Sequence, residues 1–513
     1  MEFLFKFALK KSSGNFTNMK IIKICFSIIL MLCVVSCSKI DENLEKMIPS
    51  DSYGVVRINV NSLLEKGHLT DEDQNISIPQ SLKDVVNEHD SSPFSKAIEL
   101  GKKIGINTDG SIYCFFPKHT FRFATLLAIE DGDVAKSEIE KRTGQKFQSI
   151  EGVDFLREQS VSYVMEDDYL FVGEEVKETA DATLALMARS FLHASEPGID
   201  QNADVGNVIH HESDVNAYLS MKGIQQTIAQ SESFAEKIKK FPILTLFTDS
   251  DIKAIALHLN FENEGAKLEA NIKADDHSDY IKLFDATLAK ADAGFLKVMP
   301  VSMNYIFSIS LKGENLLQLS QVKKSINLMN NMPGADQIDI RSMVRSINGP
   351  VAIGFSHGDG MNISSIANDN WNIALVAKSN DAAKIVNQIV AFASSTGQED
   401  FVKNGRHLFD YEGMPVYLGE LDGYVYAIRL DHEMEEEFYY DIPDAKERFS
   451  KSQIGFYAKY PDPKGDAFFN VGLNNPTTGE GVYYTIREEN PVVSFLELLC
   501  STNTADSDSN YLY

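Results

Sequence analysis

The residues best suited to chemistry form the sequence GFSHG at 354–358, which matches the G-x-S-x-G pattern of nucleophilic serines. In an α/β-hydrolase this pattern exposes the serine on a sharp turn between a strand and a helix. Ser356 follows the apolar residues VAI, and Asp400 and His407 come later in the order that such a triad uses. The residues that follow, DGMNISSIANDN, have no helical period and several turn formers. The sequence therefore predicts a glycine-rich loop after a strand and no catalytic residues.

A second cluster, His210-His211-Glu212, has side chains that commonly bind transition metals. Adjacent residues point to different sides of a strand or helix, so the two histidines are poorly placed to chelate one ion. Asp214 adds a carboxylate, but no H-E-x-x-H or C-x-x-C motif follows residue 36. We interpret the cluster as a polar linker, and the sequence predicts no metal site and no cofactor.

Acidic stretches raise the question of calcium. The stretch DEDQN at 71–75 begins like an EF-hand loop, but Ile76 replaces the glycine and Leu82 replaces the final glutamate. Asp462 and Asp466 enclose a second acidic stretch that lacks the ligand pattern of such a loop. Both stretches are predicted to be solvated loops.

Hydrolysis of glycans needs two carboxylates whose spacing is set in three dimensions, so the many acidic residues leave this activity open. Sugar sites also use exposed aromatic side chains. The single tryptophan, Trp371, opens a predicted core strand, which leaves tyrosines such as Tyr439 and Tyr440 as candidates. A hydrolase acting on glycan or ester substrates therefore remains the alternative to a protein without enzymatic activity.

Composition limits the classes of protein to which this chain can belong. The 513 residues include 48 Lys and Arg, 74 Asp and Glu, 43% hydrophobic residues and 24% charged residues. This mixture excludes a wholly disordered chain and a protein with many membrane spans. The formal net charge of −26 argues against a nucleic-acid partner, because phosphate binding needs a basic surface.

The N-terminal region predicts an envelope lipoprotein. From Met19 the chain reads MKIIKICFSIILMLCVVSC, with Lys20 and Lys23 before an apolar run too short to span a bilayer. The ending VVSC resembles the bacterial lipobox, which implies cleavage after residue 36 and acylation of Cys37. An uncleaved signal anchor or an ordinary signal peptide is the alternative. Residues 1–18 precede a complete signal peptide, so the true start is predicted at Met19.

Cleavage would change both the charge and the cysteine content. Five lysines and one glutamate lie in residues 1–36, so the mature chain would carry a charge of −30. Cys114 and Cys500 would remain besides Cys37, both in apolar surroundings, and whether they pair is left open. Asp41 and Glu42 after Cys37 resemble a surface-export signal, but they lie late and Lys39 interrupts the stretch. The outer membrane is therefore predicted, and its periplasmic and surface-exposed faces both stay open.

Strands and helices alternate in a pattern that predicts an α+β fold, with antiparallel sheets and helices packed on one face. One helix is predicted at 133–144, with Asp133 as its cap and Gly144 as its end. A hairpin is predicted around the turn at 166–168. Five elements recur in the same order about 240 to 260 residues later, which indicates two related halves from an internal duplication. Chance similarity of short strands is the alternative.

These patterns divide the chain into predicted segments. They are a leader and signal peptide (1–36), a tether (37–46), a first α+β copy (47–195), a β-rich extension (196–295), a second α+β copy (296–432), a second β-rich extension (433–499) and a polar tail (500–513).

The lipobox, the sequence IPSDSYGVVRINVNSLLEKG at 48–67 and the sequence DVNAYLSMKG at 214–223 resemble an uncharacterised family of Bacteroidetes lipoproteins. That family is catalogued as a domain of unknown function. The resemblance covers about residues 47–499 and implies an envelope lipoprotein, but it implies no activity. The expected function is a lipid-anchored binding or assembly module for a protein or glycan partner, attached to the membrane through Cys37. The expected location is the outer membrane, on its periplasmic or surface-exposed face.

Overall fold

The structure, a computed structural model, describes the greater part of the chain after residue 38. The described residues are 39–69, 77, 79–80, 103–107, 110–118, 120–175, 178–223, 225, 251–262, 265–330, 338–356, 372–395, 397–403, 405–411, 414–430, 438–439, 443–460, 466–485 and 490–495. Among them, no helix is both long enough and apolar enough to span a membrane.

The chain divides into two compact units. In the described residues, the N-terminal unit contains 39–225, 253–273 and 490–495, and the C-terminal unit contains 251–252 and 274–485.

The helices of the N-terminal unit are α1 (Lys39–Met47), α2 (Val60–Gly67), α3 (Gly132–Thr143), α4 (Asp181–Leu192) and α5 (Ala203–Ile209). Its strands are β1 (Gly54–Ile58), β2 (Ile112–Phe116), β3 (Phe121–Ala128), β4 (Gln148–Ile150), β5 (Val153–Glu158), β6 (Val161–Glu166), β7 (Tyr169–Glu175), β8 (Val215–Ser220), β9 (Ala254–Glu262) and β10 (Gly265–Lys273).

The helices of the C-terminal unit are α6 (Asp279–Thr287), α7 (Gly313–Leu316), α8 (Ser320–Asn330), α9 (Ile340–Ser346), α10 (Ala382–Ser395) and α11 (Pro443–Lys451). Its strands are β11 (Tyr305–Lys312), β12 (Ile347–Ser356), β13 (Asn372–Ser379), β14 (Phe401–Lys403), β15 (Arg406–Tyr411), β16 (Met414–Leu421), β17 (Tyr424–Arg429), β18 (Ile454–Tyr460), β19 (Ala467–Leu473) and β20 (Thr478–Thr485).

Strand order is the same in the two units. In the N-terminal unit the order is β10-β9-β8-β1-β2-β3-β7-β6-β5-β4, with every neighbouring pair antiparallel. In the C-terminal unit it is β20-β19-β18-β11-β12-β13-β17-β16-β15-β14, again with antiparallel neighbours. The prediction of a mixed fold with antiparallel pairing is confirmed.

Helices cover both faces of the N-terminal sheet, so the prediction of helices on one face is wrong. One core lies between α1, α4 and α5 and the sheet, and it includes Val153 and Phe155 of β5. Asp154 points to the opposite face and pairs there with Lys136 of α3. Strand β6 shows the same coverage. All four of its residues from Ser162 to Met165 are buried, and burial at successive positions is typical of a strand that is covered on both faces.

Candidate functional site

A row of polar side chains crosses five neighbouring strands of the N-terminal unit. Strand register places Tyr113 of β2 opposite Arg57 of β1, and Arg57 opposite Asn216 of β8. Asn216 faces His258 of β9, which faces Glu269 of β10. Opposite residues on neighbouring strands share a face of the sheet, so these five form one line of about 19 Å, which we call the polar row.

Arg57 joins the polar row to helix α1. Its Nη2 donates to Asp41 Oδ2 at 3.0 Å, its Nε to Ser111 Oγ at 3.0 Å and its Nη1 to the carbonyl of Ile209 at 3.3 Å. The Ser111 backbone N–H donates to the other oxygen of Asp41 at 2.6 Å. Asp41, Arg57 and Ser111 are all buried, so the two charges are removed from water and neutralise each other.

Glu45 forms a second attachment one helical turn further along α1. The Tyr113 hydroxyl donates to Glu45 Oε1 at 2.8 Å, and His210 Nε2 lies 2.8 Å from the other oxygen. Burial raises the pKa of the Tyr113 phenol well above its ordinary value, and the carboxylates of Asp41 and Glu45 raise it further. The phenol therefore keeps its proton and donates it to Glu45.

The turn between α5 and β8 is held by the middle of the polar row. The Asn216 side-chain amide donates to the carbonyl of His211 at 2.9 Å, and its oxygen accepts from His258 Nδ1 at 2.7 Å. The His211 and His258 rings are in contact in a tilted arrangement, with their centroids 4.1 Å apart and their planes at 34°. Burial, and secondly the neighbouring His211, lowers the pKa of His258. The row therefore continues through a neutral imidazole.

Asp214, which sequence reasoning placed near the histidine cluster, is buried at 1% exposure. It accepts from Lys66 at 2.9 Å, from the Ser62 hydroxyl and from the Phe261 N–H at 2.6 Å, which ties α2 to β9. His210 faces Glu45 while the His211 ring packs against His258 at a tilt, so the two histidines diverge as expected for adjacent residues. Within the described ranges, no group of three or more His, Cys, Asp or Glu side chains could hold a metal ion.

The structure does not bring together the three residues of the G-x-S-x-G hypothesis. His407 Nδ1 lies 2.9 Å from Asp400, but these residues belong to β15 and the segment before β14. Ser356 is buried at the end of β12, where it pairs with Asn372 of β13. Four strand spacings separate β12 from β15, which amounts to about 19 Å. His357 and Gly358 lie outside the described residues.

Several other candidates have structural roles or lie outside the described residues. Burial raises the pKa of the Cys114 thiol to about 12, which makes it an unreactive core residue. Tyr439 is fully buried and donates to the carbonyl of Met303, so it is not an exposed platform for sugars. Asp466 pairs with Lys459 at 3.0 Å. The candidates outside the described residues are Cys37, residues 71–75, Trp371, Tyr440, Asp462 and Cys500.

Sequence reasoning missed the polar row, although two signals could have indicated it. Arg57 is a charged residue inside the otherwise apolar strand GVVRI. Asp41 and Glu45 are four residues apart, which places them on the same face of a helix as Leu44. All three side chains on that face of α1 are buried. The arrangement fixes α1, the first described helix, against the centre of the sheet.

Comparison with known proteins gives one family and one set of solved structures. The family described as a domain of unknown function (DUF4836) matches residues 44–475. This range contains the sequences at 48–67 and 214–223 on which the resemblance rested, but not the lipobox. No curated protein matches the chain. A solved structure titled "Structure of crystal form III of TP0453" is similar with a TM-score of 0.29 and 13% identity, over 45% of this chain and 80% of that one. Crystal form IV of TP0453 gives a TM-score of 0.28 and 14% identity, over 44% and 79%.

Proposed function

We propose that this chain, which belongs to the DUF4836 family of domains of unknown function, is a lipid-anchored protein of the cell envelope. In this proposal Cys37 carries the acyl chains, and the two units bind or assemble a protein or glycan partner. The proposed location is the outer membrane, on its periplasmic or surface-exposed face. The chain has no assigned chemistry in this proposal, because four strand spacings, or about 19 Å, separate the strand that ends at Ser356 from the strand that contains His407.

The observation that supports this proposal is the position of helix α1. The helix begins at Lys39, two residues after the cysteine of the lipobox, and Leu44 within it is fully buried. Asp41 and Glu45 attach the same helix to Arg57 and Tyr113 in the sheet. Acyl chains on Cys37, each worth about 0.8 kcal/mol per buried CH₂, would therefore hold the folded body and not only a loose N-terminal segment.

We further infer that the two units arose by an internal duplication. The support is the common strand order, in which each strand of the C-terminal unit takes the place of the strand numbered ten lower in the N-terminal unit. Helices α3 and α10 also occupy the same place, after the third and thirteenth strands. Two copies of one fold can present the same surface to a partner twice, which suits binding or assembly.

The experiment that tests the anchor is metabolic labelling with palmitate, followed by separation of membranes. We expect wild-type protein to incorporate label and to enter the outer-membrane fraction. Cys37→Ala should lose both properties. Cys33→Ala is the matched control, because it removes a cysteine from the predicted signal peptide and should keep the label. Loss of label in Cys33→Ala, or label that persists in Cys37→Ala, would contradict the proposal.

A further inference from the structure

We propose that one end of the N-terminal unit lies against the lipid headgroups of the membrane that carries the anchor. We call it the anchor end, and it consists of the start of α1, Ser111, and the turn at 167–168 with the following Tyr169. This inference rests on the proposed acylation of Cys37 and adds an orientation that acylation alone does not give. The partner is a lipid surface, for the three reasons that follow.

The first reason is the length of chain between the lipid and the fold. Only Ser38 separates Cys37 from Lys39, the first residue of α1. Two residues span at most about 7 Å even when extended. Because Asp41 and Glu45 are buried and bonded to the sheet, α1 cannot swing outward to lengthen this connection without breaking the Arg57 ion pair.

The second reason is the direction of α1. Asp41 in its first turn accepts from Ser111 at the start of β2, and Glu45 accepts from Tyr113 two residues later. The helix therefore runs along β2, with its first residues at the end of the sheet where β2 begins. Asn43 also donates to the Tyr169 hydroxyl at 3.4 Å, which places the turn before β7 at the same end.

The third reason is that the opposite end of the unit is out of reach. Strand β6 has six residues, so the turn at 159–160 lies about 20 Å from the turn at 167–168. A lipid within about 7 Å of α1 therefore brings only one of these two turns to the headgroups. Asp167 and Asp168 give the anchor end negative charge, which favours a zwitterionic over an anionic lipid surface.

The two hairpin turns provide a matched pair of reporter sites. Asp168 and Ser160 are both exposed, and each follows a residue with left-handed backbone, Asp167 at φ 48° and Gln159 at φ 55°. We would introduce Asp168→Cys and Ser160→Cys separately into a Cys500→Ser background and label each new thiol with a fluorophore. Cys114 need not be replaced, because it is fully buried. The full-length lipidated proteins would be reconstituted into phosphatidylcholine vesicles that contain a headgroup-quencher lipid.

We expect quenching at position 168 to exceed quenching at position 160 several-fold. Equal quenching, or stronger quenching at position 160, would overturn the proposed orientation. Asp167→Cys and Gln159→Cys repeat the comparison one residue earlier in each turn, in case one of the first variants fails to fold. The anchor is checked separately by flotation. If the lipidated protein fails to float with vesicles, the proposed function fails and the orientation falls with it, whereas flotation with equal quenching overturns the orientation alone.

Discussion

Arg57 shows how a buried charge can act as a connector. Its guanidinium bonds Asp41 of α1, Ser111 before β2 and the last carbonyl of α5, so one side chain joins three parts of the unit. A planar group with five donors suits this task better than a lysine, which is a compact point charge. Burying an ion pair brings little net stability, but removing one partner leaves the other charge unpaired in the core.

Replacing Arg57 therefore tests the energetic role of the polar row. In Arg57→Met, Asp41 keeps its burial and loses its counter-charge, and we expect the free energy of unfolding to fall by about 3 kcal/mol. The double variant Asp41→Leu/Arg57→Met should recover most of that loss, because no unpaired charge remains. Urea denaturation measures both values.

The control for this prediction is Lys141→Met. Lys141 pairs with Glu138 at 3.4 Å but is 74% exposed, so its loss should change the free energy of unfolding by less than about 0.5 kcal/mol. If Arg57→Met costs no more than this control, the buried pair does not hold α1 in the manner argued above.

His258 gives the polar row a dependence on pH. Burial first, and then His211, lowers the pKa of His258, while Glu269 opposes the shift as the smallest influence. The unfolded chain therefore takes up a proton at about pH 6.5, before the folded chain does. Above that pH the neutral imidazole makes its full contribution to the free energy of unfolding. This contribution is lost as the pH falls toward the lowered pKa of His258 in the folded chain.

We expect His258→Gln to remove this contribution. The difference in unfolding free energy between wild type and His258→Gln should be larger at about pH 7.5 than at about pH 5.5. His277→Gln, at an exposed position, is the control for replacing a histidine as such. Urea denaturation at both pH values is the measurement, and a difference that grows on acidification would contradict the argument.

At the scale of elements, the C-terminal unit has the same strand order as the N-terminal unit, but its described residues lack a counterpart of the polar row. Asn216 is the second residue of β8, and the second residue of β18 is Gly455. The strand register through Gly455 gives the other four equivalent positions. Ser308 takes the place of Arg57 and Ala352 that of Tyr113. Gly472 takes the place of His258 and Glu480 that of Glu269. Small residues there let Phe449 of α11 pack directly on the sheet, because a Cβ on Gly455 would lie 2.8 Å from its ring.

Two glycine substitutions separate packing from helix propensity. Gly455→Ala should lower the free energy of unfolding by about 1–3 kcal/mol, because Phe449 is buried and cannot move aside. Gly206→Ala in α5 should raise it by about 0.5–1 kcal/mol, since the new methyl group would lie 3.9 Å from His210 and alanine favours the helix. Urea midpoints of the two variants should therefore move in opposite directions, and a shared direction would contradict the packing argument.

Local signals in the sequence predicted local structure well. The turn at 166–168 joins β6 to β7 as predicted, and Gly144 ends α3 with a left-handed φ of 69°. The cap of that helix is Asp131 and not Asp133, because the Asp131 carboxylate accepts from two N–H groups of the first turn. Asp133 lies inside the helix, where an acidic residue favours the positive end of the helix dipole.

The polar row could not be predicted because its members are distant in sequence. Arg57 and Glu269 share one face of one sheet only after β1 has been placed between β2 and β8. The alternation of side chains within β1 predicts which of its residues share a face, but it does not identify the strands that pair with β1. The triad pattern could not be tested from the sequence for the same reason, since the order Ser356, Asp400, His407 does not show which strands separate these residues.

At the scale of the whole molecule, charge decides how an anchored body meets a membrane. The chain carries −26, and cleavage after residue 36 would make it −30. A strongly acidic body is repelled by anionic lipid, whereas the proposed acyl chains on Cys37 would be drawn into any bilayer. The two effects differ in their response to salt, because screening weakens charge repulsion and leaves hydrophobic insertion largely unchanged.

This difference gives the last prediction. Purified lipidated protein should bind phosphatidylglycerol vesicles more weakly than phosphatidylcholine vesicles at about 0.01 M salt, where charges act over about 30 Å. At about 0.15 M salt the range falls to about 8 Å, so binding to phosphatidylglycerol should rise while binding to phosphatidylcholine stays constant. Cys37→Ala should float with neither vesicle. If low salt strengthens binding to the anionic vesicles, a basic surface must govern the encounter, and the acidic anchor end cannot face the lipid.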